Sequence, residues 1–120
     1  LKGLFLAENQ LEGSIPDELG DCASIEVLQL HKNRLTGGVP AWLGKCAKLK
    51  ILNLYENQLE GAVPASELAK LTALVRLQLH KNEGLMITAS GKQEIECAAP
   101  NAKFSWPDID EGRKATVINA

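Results

Sequence analysis

Residues 49–64 read LKILNLYENQLEGAVP. Leu52 and Leu54 alternate with Ile51, Asn53 and Tyr55, the two-residue period of a short strand with one buried face. Asn57 stands where the alternation stops, and its amide suits backbone groups that a turn leaves unpaired. Gly61 permits a turn that other residues resist, and Val63 points back inward. Pro64 fits the first position of a short helix, where its missing N–H costs little. Strand, turn and helix start thus follow one another in a single short stretch.

The same frame, L-x-x-L-x-L-x-x-N, occurs four times. Besides Leu49, Leu52, Leu54 and Asn57 it reads Leu1, Leu4, Leu6, Asn9; then Ile25, Leu28, Leu30, Asn33; and finally Leu74, Leu77, Leu79, Asn82. The asparagines are 24, 24 and 25 residues apart. A second element, L-x-G-x-[IV]-P, appears as LEGSIP at 11–16, LTGGVP at 35–40 and LEGAVP at 59–64. Leu19, Leu43 and Leu68 are expected to bury the helices that follow, and Gly20 and Gly44 to end two of them in a left-handed conformation.

A fixed period of this length with this frame marks leucine-rich repeats. The pattern resembles the plant-type leucine-rich repeat, with its L-x-G-x-I-P and L-G elements, found in receptor-like kinases and related plant and protist proteins. The resemblance runs from Leu1 to about Leu85. The expected fold is an α/β solenoid, a right-handed coil with a parallel concave β-sheet. It has four coils of 24–25 residues starting near residues 1, 25, 49 and 74. Short helices or 3-10 turns line the convex side. Asn9, Asn33, Asn57 and Asn82 then form a buried structural ladder. In proteins that this pattern resembles, ligands and partner proteins usually bind the concave side.

The repeats alternate in pairs. ENQLEG recurs at 8–13 and 56–61, QLHKN at 29–33 and 78–82, as duplication of a two-repeat unit would leave them. Stacking then sets Glu8, Lys32, Glu56 and Lys81 side by side, acid and base in turn. Opposite charges on adjacent strands attract, so the column reads either as a solvated ladder or as a docking stripe.

Three outward columns build the candidate partner-binding face. They contain Val27, Ile51 and Arg76; Phe5, Gln29, Asn53 and Gln78; and His31, Tyr55 and His80. Phe5, Val27 and Ile51 are apolar residues on an exposed face, as at protein-binding sites. Tyr55 and Arg76 are residue types common at binding hot spots. The opposing account is that β-branched residues simply favour strands. His31 and His80 do not suggest a metal: at two rungs of about 4.8 Å each they are too far apart to share an ion. No cofactor is implied. Trp42 belongs to the convex helix of the second repeat, as a packing residue or a convex contact.

Every leucine lies at or before Leu85, and residues 86–120 carry no repeat frame. The expected organisation is a solenoid over 1–85, a candidate C-terminal cap over 86–107 and a flexible tail over 108–120. Asn82 is followed by Glu83 and Gly84 before Leu85, so the fourth coil is expected to break in its turn. QEIEC at 93–97 reads as a short strand with Ile95 and Cys97 on one face, and Phe104 and Trp106 are expected to fold over the last coil.

The chain has 120 residues, 45% hydrophobic and 4% aromatic, and a formal net charge of -2. With charges mixed along it, there is no basic stripe for nucleic acid. No apolar run suits direct membrane insertion. Leu1 opens inside a repeat, which suggests a piece of a longer protein. Three cysteines, an odd number, and the lack of an N-x-S/T sequon lean towards a reducing interior, with an extracellular receptor ectodomain as the alternative. Cys22 and Cys46 are expected to face the interior, as small hydrophobes or as a disulfide one rung apart. No nucleophile–base pair, phosphate loop or paired acids suggest an enzyme. Two functions remain: a protein- or peptide-binding module, or an architectural stretch of a longer solenoid. In either, the uncovered first coil offers a route to self-association.

Overall fold

The computed structural model describes residues 2–21 and 23–107. Leu1, Cys22 and residues 108–120 lie outside it, and with them the two readings of Cys22 and the expected flexible tail. In chain order the elements are β1 (Gly3–Phe5), β2 (Glu12–Ser14), a 3-10 turn (Asp17–Asp21), β3 (Val27–Gln29), β4 (Arg34–Thr36) and a second 3-10 turn (Ala41–Lys45). There follow β5 (Ile51–Asn53), β6 (Glu60–Ala62), α1 (Ala65–Leu68), β7 (Arg76–Gln78), β8 (Gly84–Met86), α2 (Ala89–Ala98) and β9 (Lys103–Ser105).

One strand from each coil enters a parallel sheet of order β1-β3-β5-β7-β9. The register places Leu4, Leu28, Leu52, Leu77 and Phe104 in one column. Leu28, Leu52 and Leu77 are buried, as are Leu30, Leu54 and Leu79 two residues on. Leu43, Leu68 and Ile95 close the same core from the helical side. Each fully buried leucine contributes about 1.5–3 kcal/mol, against about 0–1 kcal/mol for an exposed ion pair. The leucine columns therefore hold the stack together, and the charge ladder does not.

The asparagines tie neighbouring coils through their side chains. Asn57 Nδ2 donates to Leu30 O of the previous coil at 3.0 Å and to Leu54 O of its own at 3.1 Å, while Oδ1 accepts from Leu35 N at 3.0 Å. Asn33 and Asn82 repeat the arrangement, Asn82 donating to Leu54 O and Leu79 O and accepting from Leu59 N. These three are buried. Asn9, expected to be buried with them, is exposed. Its Nδ2 bonds only to Leu6 O and Ala7 O of its own coil.

The structure corrects several expectations. Gly20 and Gly44 do not adopt left-handed conformations; positive φ belongs to Gly13, Gly37 and Gly61 and to four charged residues. Gly20 and Gly44 are needed for closeness instead. A Cβ on Gly20 would meet the Trp42 ring at 3.0 Å, and one on Gly44 would lie 2.9 Å from Glu67 O. Pro40 and Pro64 precede their helical segments as N-caps rather than opening them. Their carbonyls accept from Leu43 N and Leu68 N, which starts each turn.

The fourth coil does not break after Asn82. Glu83 and Gly84 bring β8 alongside β6, with Leu85 buried. QEIEC is not a strand but the second half of α2. Thr88 caps this helix, its Oγ1 accepting from Gly91 N at 2.9 Å. The helix buries Ile95 and leaves Cys97 exposed, so the two do not share a face. Finally, β9 adds a fifth rung beyond the four that the leucine frame covers. Phe104 and Trp106 pack against the core as partly buried side chains, their rings stacked 5.2 Å apart. Trp106 Nε1 donates to Glu96 Oε2 of α2 at 3.0 Å.

Candidate functional site

The outward positions of the five strands form one open face. The first column runs Gly3, Val27, Ile51, Arg76, Lys103, and the second Phe5, Gln29, Asn53, Gln78, Ser105. Backbone bonds continue the ladder beyond the strand ends: Glu8 N to His31 O, Lys32 N to Tyr55 O and Glu56 N to His80 O, at 2.9–3.1 Å. Ala7, His31, Tyr55 and His80 therefore make a third column.

In that column the rings stack. His31 lies 4.5 Å from Tyr55 at an interplanar angle of 12°, and Tyr55 lies 4.6 Å from His80 at 9°. The spacing is close to that of the strands themselves, so the sheet sets the stack. Nδ1 of His31 and of His80 is enclosed with no hydrogen-bond partner among the described residues. Burial is the main cause that lowers the His31 pKa from its usual value; Lys32 adds to it, and Glu8 and Glu56 oppose it. Burial thus favours the neutral imidazole in the stack with Tyr55.

Beside the rings the charge column resolves into two pairs. Lys32 Nζ is 3.4 Å from Glu8 Oε1, and Lys81 Nζ is 3.6 Å from Glu56 Oε1. All four residues hold left-handed backbone, φ 57–61°, which the sequence did not foretell because none is glycine or asparagine. At the far end of the face Arg76 and Lys103 are exposed neighbours in register, two like charges side by side.

The expected site residues mostly fall together here. Phe5 and Arg76 are exposed, while Val27, Gln29, His31, Ile51, Tyr55, Gln78 and His80 are half-buried. Asn53 departs from expectation: only 5% exposed, it is withdrawn from contact. It sits mid-sheet between the longer Gln29 and Gln78 of adjacent strands, with Ile51 and Tyr55 on its own. Lys103 and Ser105 were missed. Their signal was aromatic: Phe104 and Trp106 alternate as Leu77 and Leu79 do, at a spacing of 27 residues instead of 24 or 25.

Among the described residues, no group of three or more His, Cys, Asp or Glu side chains is placed to hold a metal ion, and no helix is long and apolar enough to cross a membrane.

The coiled parallel sheet, its asparagine ladder and the repeat frame together define a leucine-rich repeat solenoid. The chain belongs to the leucine-rich repeat family, whose models match residues 23–83 and 1–22. Similar solved structures include a plant ice-binding protein, 28% identical with a TM-score of 0.78 over 87% of this chain and 33% of that one. The Arabidopsis receptor kinase HAESA ectodomain, solved in complex with an N-terminally extended IDA peptide hormone, is 30% identical. Its TM-score is 0.77 over 90% of this chain and 18% of that one. The ectodomain of the receptor kinase SOBIR1 from Arabidopsis thaliana is also 30% identical, with a TM-score of 0.75 over 88% of this chain and 56% of that one. The chain thus spans between about a fifth and just over half of these structures. No curated protein matches the chain as a sequence relative.

Proposed function

We propose that this chain is a non-catalytic binding module that receives an extended peptide or protein segment on the open face of its sheet. The observation that carries this reading is the make-up of the face. Val27 and Ile51 share the face with the His31–Tyr55–His80 stack, across the column of Gln29, Asn53 and Gln78, where a purely solvated sheet would present charges. The peptide bound to the similar HAESA ectodomain adds support. Arg76 and Lys103 favour a ligand with an acidic group at one end, because two adjacent cations gain from a shared anion. Residues 86–107 serve in this reading as the closing coil that shields the core at that end.

Selection from a random peptide library tests the proposal. Peptides bound by the chain should be lost by Ile51→Glu and by Tyr55→Ala with folding intact, and Arg76→Glu should remove any preference for acidic peptides. Retention of the selected peptides by both Ile51→Glu and Tyr55→Ala would refute it.

A second reading, an architectural segment, rests on the first coil. Leu6 and Leu11 are partly exposed there along a cavity of about 400 Å³ lined with Leu4, Ile15, Leu19 and Leu35. It predicts self-association of residues 1–120. A monomer at high concentration in light scattering would count against it.

A further inference from the structure

The column of rings stops one rung short. His80 is bounded on its far side by the last coil, where Pro107, two residues beyond Ser105, is buried. At the other end His31 has an aromatic neighbour on one side only, Tyr55. Its other neighbour in the column is Ala7, held at rung spacing by Leu6 N to Gln29 O at 2.9 Å and Glu8 N to His31 O at 3.0 Å. A methyl group cannot cover an imidazole face. Phe5, two residues before Ala7 on the same coil, does not cover it either. Phe5 folds back over Gly3, so closely that a Cβ on Gly3 would lie 2.5 Å from Phe5 Cε2.

We propose that the shelf formed by Ala7 and the outer face of His31 is a subsite for one aromatic side chain of the bound peptide, which completes the column as its fourth ring. The proposal rests on the reading that the open face binds peptides, and it names a side chain that such a peptide carries. The ring separations of 4.5 and 4.6 Å match the strand spacing of about 4.8 Å. A ring laid over Ala7 therefore meets His31 at stacking distance without any movement of the sheet. A flat ring is preferred over an aliphatic side chain because parallel aromatic pairs gain attraction beyond the area they bury. Burial favours the neutral form of His31, which suits such a stack. The Glu8–Lys32 pair borders the shelf and neutralises its own charge.

The chain contains two histidines, which makes the test direct. Ring-proton NMR signals of His31 and His80 are followed at about pH 8 while N-acetyl-tryptophanamide is added, with N-acetyl-leucinamide as the comparison. The expected result is an upfield shift of the His31 signals alone, saturable with the aromatic amide and missing with the aliphatic one. Ala7→Trp should shift His31 upfield without any added probe and abolish the response. Equal shifts of His31 and His80, equal shifts with the leucine amide, no shift, or an undiminished response in Ala7→Trp would each overturn the subsite. Such a failure is separable from failure of the proposed function. If library-selected peptides are still lost in Tyr55→Ala, the binding face stands and the subsite alone falls.

Discussion

At the scale of single residues, Asn57 shows how one side chain serves two coils at once. Its three short bonds reach the previous strand end, its own strand end and the N–H of Leu35. Replacement by alanine leaves buried groups unsatisfied at about 1–3 kcal/mol each. Chemical denaturation should show Asn57→Ala to be destabilising by that order, and Asn9→Ala, whose exposed side chain bonds only within its own coil, by distinctly less. Equal losses would contradict the inter-coil role. Next to each asparagine lies a charged residue in left-handed backbone, Glu56 among them. That conformation costs an ordinary residue roughly 1–2 kcal/mol and a β-branched one more. Glu56→Val should therefore be less stable than Glu56→Gly, measured in the same way. The asparagine frame was legible in the sequence because its spacing repeats. The strain beside it was not, since Glu and Lys give no sign of positive φ. His31 supplies a pH dependence. Its pKa is lowered in the folded chain, so between that lowered value and the ordinary 6.5 the unfolded chain binds more protons there. This contribution to stability is present above the ordinary value and lost as pH falls from it through the lowered one. The decline in unfolding midpoint from pH 8 to pH 5 should be shallower in His31→Phe, which keeps a ring in the stack but cannot titrate.

At the scale of elements, α2 is where sequence and structure part. QEIEC alternates like a strand, and the two-residue period alone predicts one. The competing period was four residues: Gly91, Ile95 and Ala99 are all buried, on one face of the helix and its C-cap. Two of the three are small, so the stripe carried little hydrophobic weight. The Thr88 cap then fixes the start. Ile95→Ala should destabilise by about 2–5 kcal/mol, as for other large-to-small changes in a core. Cys97→Ala on the exposed side should stay within about 0.5 kcal/mol. Comparable losses for both would mean that the helix is turned differently on the core. The leucine-framed strands were easier to read, since β3, β5 and β7 each set two buried leucines at a fixed distance from an asparagine.

At the scale of the whole molecule, five rungs present three side-chain columns on one open face. Four rungs could be read from leucine alone. The fifth could not, because Phe104 and Trp106 stand in the leucine places and the period lengthens there. The site was legible in proportion. Strand alternation turned most of the expected contact residues outward, but could not show that Asn53 sinks between its longer neighbours or that Tyr55 is sandwiched between two imidazoles. The most direct test of the binding reading uses methyl NMR on the full chain. A library-selected peptide is titrated in while the methyl signals of Val27 and Ile51 on the open face, and of Ala41 and Ala47 on the exposed helical side, are followed. Movement of Val27 and Ile51 with Ala41 and Ala47 unchanged is the predicted result. Shifts confined to Ala41 and Ala47 would place binding on the opposite side and contradict the account.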